Sequence, residues 1–575
     1  MTKTFIQLKK NLKNDFAGLT KIKVALLGDT ATQFLGQAIK GLGYEHGVHI
    51  DLWEADFDQI EQQIFDPSSE LYAFQPELVI LFKSSHKLLL KYNKANAEKR
   101  ASLADTEIEV ISTFHETITN TISAKVIYYN YTEIDDTVFG NFAGQTPSSF
   151  LFQLRKLNYE LMLLANTKQD LFLCDLSSIQ NSVGKAIFFQ PSLYVSTQMV
   201  LSLEVLPQVA ARTLDLIKAL HGKFKKCIIL DLDNTTWGGI IGDDGLENIQ
   251  LGNLGIGKAF TELQQWVKKL KNRGVIIAVC SKNTESVAKE PFEKHPDMVL
   301  RLDDISVFRA NWENKADNIR QIQSILNIGF DSMVFLDDNP FERNLVRTNI
   351  PDIVVPELPE DPTNYLEFLY GLNLFETVSV SAEDQERTKL YQIEAQRVKE
   401  HQKFSNQDDF LKSLDMVSAV KPFDTFNTPR IAQLSQRSNQ FNLRTIRYTE
   451  ADVTRMTQSD EYATFSFTLE DKFGEHGLIC VVILQKETNE TLFIDTWFMS
   501  CRVLKRGMEN FVLNTLVDYG KAHNFAILKG EYIATPKNAL VKDHYPDLGF
   551  SKQDAYYVLK TDTYVDKEAF ITLKK

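Results

Sequence analysis

Between Lys223 and Leu358 the chain repeats one pattern: a short, almost purely apolar run that stops at carboxylates or a hydroxyl. "CIILDLD" ends on Asp231 and Asp233, "VIIAVCSKN" on Ser281 and Asn283, and "SMVFLDDNP" on Asp337 and Asp338. Runs of this length, apolar on both faces of an extended chain, belong in a parallel sheet covered on both sides. The intervals have helical periodicity. "GKAFTELQQWVKKLKNRG" predicts a helix closed by Gly274, "NKADNIRQIQSILNIG" predicts another, and "DIVVPEL" a further strand. Open parallel sheets bind ligands beyond the carboxyl ends of their strands, so the polar ends of the runs converge on one site.

The rest of the chain reads as two more folded regions. From about Ile22 to Gln190, "KIKVALLGDT", "ELVILF" and "AKVIYYNY" alternate with helical segments such as "TQFLGQAIKGLGYEHG", which implies a second parallel α/β unit. "LYVSTQMVLSLEVLPQVAARTLDLIKALHGK" reads as helical. "PELPEDPTNY" is a Pro- and acid-rich break, and "SAEDQERTKLYQIEAQRVKEH" a charged helical segment. Beyond it, "TPRIAQLSQRSNQFN" predicts a helix with Thr428 as N-cap and Pro429 at its first position. "YATFSFTLED", "GLICVVILQ" and "TLFIDTWFM" read as strands, and "RGMENFVLNTLVDYGKAHN" as an amphipathic helix. The expected organisation is 1–200 α/β, 223–358 α/β, 359–407 linker and helix, and 408–575 α+β. A length of 575 residues requires several cores.

A net charge of −13 argues against a general nucleic-acid binder. The five cysteines (Cys174, Cys227, Cys280, Cys480, Cys501) form no CxxC pair, which fits free thiols in a reducing compartment. No signal peptide is evident at the N-terminus and no apolar stretch is long enough to span a bilayer, so a cytoplasmic protein is expected.

Asp231 and Asp233 lie on the same side of an extended chain. Two carboxylates so close need a counter-charge if both are to be ionised and buried. A divalent cation supplies it, and hard oxygen donors without His or Cys favour magnesium over zinc. Asp337 and Asp338 can complete the metal site. Ser281 can hydrogen-bond a phosphoryl oxygen, and Lys315, opening a helix in "NWENKADNIRQ", can neutralise one. "TTWGGIIGDDG" lacks helical period and reads either as a flap over the site, with Trp237 shielding it, or as an ordinary hairpin; the flap is the expectation. Thr235, Trp237, Gly238, Asn283 and Asn339 are the candidate substrate contacts. Cys280, before Ser281, is expected to point into the core.

In this order, Asp-x-Asp, Ser, Lys and Asp-Asp resemble the haloacid dehalogenase (HAD) superfamily. The longer blocks "LDLDNTTWGGIIGDDGLENIQLG", "VCSKN", "NWENKADNI" and "VFLDDNPFERNLV" resemble its FkbH-like subgroup, with one departure: Thr236 stands where an apolar residue is expected. The resemblance implies Asp231 as nucleophile forming an aspartyl-phosphate, Asp233 as general acid and then base, and Mg2+ held by the Asp231 side chain, the Asp233 carbonyl and Asp337 or Asp338.

"SCRVLKRGMENFVLN" and "NALVKDHYPDLGF" resemble the GNAT acyltransferase fold, whose loop amides receive a CoA or pantetheine pyrophosphate. "QRSNQFNLRT", "DKFGEHGL" and "FMSCRVLKRG" again resemble FkbH-like proteins, making Arg437, Asn439, Gln440, Asn442, Asp471, Cys501 and Arg502 candidate contacts. Cys501, beside Arg502, Lys505 and Arg506, reads as an acyl-carrying thiol or as a small structural residue at a strand end. Gly28-Asp29-Thr30 resembles the start of an SGNH hydrolase fold with Thr30 in the nucleophile's place. Asp175 has no His partner nearby, so a degenerate domain is expected.

By resemblance, the chain is expected to load a glyceryl unit from an acyl phosphate such as 1,3-bisphosphoglycerate onto an acyl carrier protein, through its phosphopantetheine arm. Two alternatives are a phosphatase for a sugar or hydroxyacid phosphate in surface-polysaccharide synthesis, and a non-catalytic scaffold that binds carrier protein.

Overall fold

The computed structural model describes residues 3–380, 390–393, 397, 400, 404, 406–438, 440–500, 503–504, 506–535 and 537–574. Most of the charged segment expected to be helical at 381–401 lies outside them, as do Asn439, Cys501, Arg502 and the side chain of Arg437. The chain divides into two compact units, residues 1–217 and 218–575. Among the described residues no helix is long and apolar enough to cross a membrane.

The first unit holds five parallel strands in the order β2-β1-β3-β4-β5: β1 Thr20–Gly28, β2 Val48–Glu54, β3 Leu78–Phe82, β4 Lys125–Tyr129 and β5 Leu171–Cys174. All five residues of β3 are buried, as its unbroken apolar run requires. The stretch from Leu193 to Lys223 is not one helix. Pro191–Thr197 ends at Gln198 in a left-handed conformation (φ 60°), and Leu206–Leu220 starts afresh. Pro207 lacks an N–H and is tolerated only in a first turn, which fixes the restart.

The second unit opens with four parallel strands in the order β8-β7-β6-β9: β6 Cys227–Leu230, β7 Ile276–Ser281, β8 Val307–Ala310 and β9 Met333–Leu336. The central pair β6 and β7 is wholly buried. One apolar cluster joins Trp237, Phe260, Leu263, Val267 and Phe292 to Tyr365, Leu369 and Phe375; a second gathers Ile319, Ile322 and Val346. "DIVVPEL" does not add a full strand: only Val354 bridges Val334. The Gly257–Asn272 helix buries Phe260, Leu263, Val267 and Leu270 at helical spacing and stops before Gly274, whose φ of 93° a residue with a Cβ rarely adopts.

A mixed sheet follows in the order β16-β17-β15-β14-β13-β12-β10-β18, with β11 (Val420–Lys421) beside β12. Its centre is an antiparallel meander of β12 Tyr462–Asp471, β13 Gly474–Lys486 and β14 Thr491–Met499. The Met508–Ala522 helix then leads into β15 (Ile527–Glu531), which pairs parallel with β14. That is the α+β, GNAT-like arrangement expected. The helix before it spans Thr428–Arg437, but its N-cap is Asn427. Thr428 is already helical and its hydroxyl donates to the Asp424 carbonyl at 2.8 Å.

Candidate active site

The site lies beyond the carboxyl ends of β6, β7 and β9. One residue past β6, Asp231 N donates to Leu336 O at 2.9 Å, which ties the Asp231 loop to the end of β9. The loop then turns sharply. Asn234 adopts a left-handed conformation (φ 53°), and its side chain accepts from Gly239 N at 2.9 Å. Thr236, 2% exposed, donates from its hydroxyl to Asp231 O at 2.6 Å, a bond that an apolar residue there could not make. The departure from the family pattern therefore anchors the Asp231 loop.

Lys315 occupies the first position of the Lys315–Leu326 helix, which Asn314 caps by accepting from Ala316 N. The helix start aims the ammonium into the carboxylates: Nζ is 2.6 Å from Asp337 Oδ2 and 3.0 Å from Asp231 Oδ1. The second approach is an ion pair without hydrogen-bond geometry; Asp231 Oδ1 is buried and accepts no hydrogen bond among the described residues. Burial opposes the charged lysine, but Asp231 and Asp337 outweigh it and hold the Lys315 pKa above its usual value. Burial, with the Asp231 charge second, raises Asp337 and Asp338.

Asp231, Asp337 and Asp338 each offer an oxygen within 4.8 Å of the others. Three carboxylates face one ammonium, so the cluster carries an excess of negative charge, and one buried oxygen lacks a donor. Hard oxygen ligands with that deficit fit Mg2+. Asp233 is not part of this set; only its backbone carbonyl remains available for a metal.

The Asp233 side chain is held from three directions. Oδ1 accepts from Trp237 Nε1 and Ile241 N, both at 3.0 Å, and Oδ2 from Asn283 Nδ2 at 2.8 Å. This overturns the flap reading of Trp237. The indole is fully buried, packs edge-on against Phe292 and supports Asp233 from the core side. Ile241–Asp244 forms a single helical turn where no helical period was read. Gly238 is a packing position, since a Cβ would lie 2.7 Å from Gln250 Oε1 and Phe260 Cε2. Thr235 Oγ1 accepts from Asp338 N at 2.9 Å and faces Asp338 Oδ1 at 3.2 Å. Asn339 caps the Pro340–Asn349 helix by accepting from Phe341 N. Thr235, Trp237, Gly238, Asn283 and Asn339, assigned to substrate from sequence, thus each have a structural commitment here. Ser281 is 2% exposed and 3.4 Å from Asn283 Nδ2. Cys280 points into the core, and burial raises its thiol pKa.

Three supporting residues carried no motif signal. Arg343 donates from Nη1 to Asp337 O (2.9 Å) and Asp338 O (2.6 Å). Gln264 donates to Thr236 O and accepts from Val299 N and Leu300 N. Glu342, 6% exposed, holds Lys282 at 2.5 Å and so links the loops after β9 and β7. Arg343 sits in "NPFERNLV", where a cation one turn into a helix could have suggested the pin.

Elsewhere the candidates are not gathered in this way. Thr30 is fully buried, and its hydroxyl has no hydrogen bond among the described residues. Asp29 accepts from Ser84 N, and burial pushes its pKa up to about 7. Asp175 caps the Leu176–Val183 helix. Asn442 is buried, accepting from Thr445 N and donating to Ile446 O. The Gln440 amide oxygen is buried with no hydrogen bond among the described residues. Asp471 takes two 2.7 Å bonds from Arg397, with His476 at 3.1 Å and Arg506 at 3.4 Å.

Fold and site together define a multidomain α/β protein built around an HAD-like domain. Residues 23–218 match the family described as "FkbH, N-terminal domain". The N-terminal part of protein BF1531 from Bacteroides fragilis, described as containing a phosphatase domain and complexed with Mg, is 58% identical; the match covers 66% of this chain and 100% of that one, with a TM-score of 0.64. The chain belongs to the FkbH family. The ribosomal-protein-S18-alanine N-acetyltransferase of Escherichia coli is 16% identical over 26% of this chain and 99% of its own, at a TM-score of 0.21, a likeness too weak to carry an argument. No curated protein matches the chain.

Proposed function

We propose that the chain is a magnesium-dependent phosphatase of the HAD type, acting in the loading of a glyceryl unit onto an acyl carrier protein. The observation that carries this reading is Lys315 set between Asp231 and Asp337, with Asp338 completing a compact acidic cluster. The Mg-complexed phosphatase domain of the 58% identical Bacteroides protein supports the metal and the activity.

Asp231, Asp337, Asp338 and the Asp233 carbonyl would hold Mg2+, which supplies positive charge to the transferring phosphoryl group. Asp231 attacks phosphorus and the substrate's ester oxygen leaves, taking its proton from Asp233. Water then cleaves the aspartyl-phosphate, returning its proton to Asp233 and releasing inorganic phosphate. Lys315 offsets charge on the phosphoryl oxygens, and Ser281 donates to one of them. With a bisphosphorylated acid such as 1,3-bisphosphoglycerate, this step consumes the ester phosphate. The acyl phosphate is a separate centre: a thiolate attacks its carbonyl carbon, forms a thioester and expels phosphate. Cys501 or the carrier's pantetheine thiol would supply that sulfur. Asn439, Arg437 and Arg502 would border the acyltransferase-like end.

Intact-mass spectrometry of a holo carrier protein incubated with 1,3-bisphosphoglycerate, Mg2+ and the full chain tests the reading. A mass gain of one glyceryl unit is expected. Phosphate release without any mass gain would leave the second reading, a phosphatase for a free hydroxyacid or sugar phosphate, which the same acidic cluster also suits.

A further inference from the structure

Trp312 is 74% exposed and Phe341 is 68% exposed, and each stands three residues from a residue of the acidic site. Trp312 precedes Lys315 in the turn after β8. Phe341 follows Asp338 at the start of the Pro340–Asn349 helix. Because β8 and β9 are the two edges of the sheet, with β7 and β6 between them, the aromatics flank the mouth from opposite sides. Three strand spacings put their backbones roughly 14 Å apart.

Neither ring is exposed because its chain is loose. Asn311 N donates to Ser281 O at 3.2 Å, the Asn311 side chain exchanges two hydrogen bonds with Asn318, and Asn311 Oδ1 also accepts from Glu313 N. Phe341 is fixed by the Asn339 cap and by Pro340. Two rigid turns therefore display aromatic rings to solvent beside a buried polar site. Single exposed apolar residues are ordinary, but an aromatic pair framing a functional mouth is the pattern of an interaction surface.

Nothing in the central domain covers that mouth. Only three residues, Lys282 to Thr284, separate β7 from the Glu285–Lys294 helix, and the loop after β6 folds inward onto Trp237. A free three-carbon acid bound at Asp231 is too short to reach rings that lie at the rim. A partner that brings the phosphoryl group on a long arm would touch both and would also shut out water.

We propose that the phosphoryl group enters this site already tethered, on the pantetheine arm of a carrier protein, and that Trp312 and Phe341 are the surface on which the carrier rests. This rests on the phosphatase reading above and adds an order: thioester formation precedes dephosphorylation. The step balances as ester hydrolysis, in which water replaces the phosphoryl group on the tethered acid and leaves a glyceryl thioester and inorganic phosphate.

Phosphate release by the full chain with Mg2+ is compared for free 3-phosphoglycerate and for a carrier protein bearing 3-phosphoglycerate in thioester linkage. Wild type is expected to favour the tethered substrate in kcat/KM, and Trp312→Ala/Phe341→Ala to lower that preference at least tenfold, mainly through KM. Equal use of both substrates by wild type would overturn the inference and leave the phosphatase reading standing. A preference that survives the double substitution would overturn the assignment of the rim. Release from neither substrate would defeat the phosphatase reading, and the inference with it.

Discussion

Lys315 Nζ lies 3.0 Å from Asp231 Oδ1, both side chains almost wholly buried, so the proposed nucleophile and its counter-charge form one electrostatic unit. The third member, Asp337, is 2.6 Å from the same nitrogen. Breaking a buried pair by removing one partner costs about 3–5 kcal/mol because a charge is left uncompensated. Lys315→Met should therefore lower the unfolding free energy by about that amount in metal-free buffer. It should also reduce phosphate release by about a hundredfold or more, as loss of a transition-state charge partner does. Urea melts and steady-state assays check the two effects separately.

Chelation provides a second check. Removing Mg2+ should abolish phosphate release, and restoring it should raise the melting temperature. A ligand at a hundred times its Kd stabilises by about 2.7 kcal/mol. Asp338→Asn should shift the Mg2+ dependence of that stabilisation to higher concentration. Isothermal titration of both proteins measures the difference, and equal affinities would remove Asp338 from the metal set.

Trp237→Phe keeps an aromatic ring in the core but deletes the Nε1 donor to Asp233. Hydrogen bonds to charged groups are worth about 1.5–3 kcal/mol, so kcat should fall roughly tenfold to a hundredfold while the fold persists. A lid-type role would instead raise KM and leave kcat unchanged.

Gln264 is 1% exposed, and its amide satisfies one carbonyl and two N–H groups. Gln264→Leu retains the volume and strands all three partners. A loss of about 2–3 kcal/mol is expected in chemical denaturation.

Asp29 gives the first unit a pH signature. Its pKa rises from 3.8 to about 7 through burial, opposed by Ser84, Lys83 and Lys87. Between those values the folded state binds a proton that the unfolded state releases. This stabilising contribution is complete below about pH 4, declines as pH rises towards about 7, and is gone above it. Asp29→Asn should remove the decline, and its advantage over wild type should grow from pH 4 to pH 7, by up to roughly 4 kcal/mol. Urea midpoints across that range measure it.

The strands of the central sheet were legible because β6, β7 and β9 are apolar on both faces and end in polar residues. The charges of the site were legible for the same reason: Asp231, Ser281, Lys315 and Asp337 each occupy an element end. What hid was the commitment of neutral groups. Trp237 looked like a lid because "TTWGG" has no period, but its burial depends on Phe292, 55 positions away in the chain. Asn283 and Gln264 gain their meaning from partners contributed by other elements, which spacing along one segment cannot reveal. "DIVVPEL" read as a strand from its apolar run, yet only Val354 finds a bridge, because β9 is the edge and the chain leaves it after one pairing.

The central claim is that Asp231 receives the phosphoryl group. Borohydride reduction during turnover of 3-phosphoglycerate with Mg2+, followed by peptide mass spectrometry, tests it most directly. The account predicts homoserine at position 231 and none in Asp231→Asn. Turnover with an unmodified position 231, or reduction at another aspartate, would contradict it.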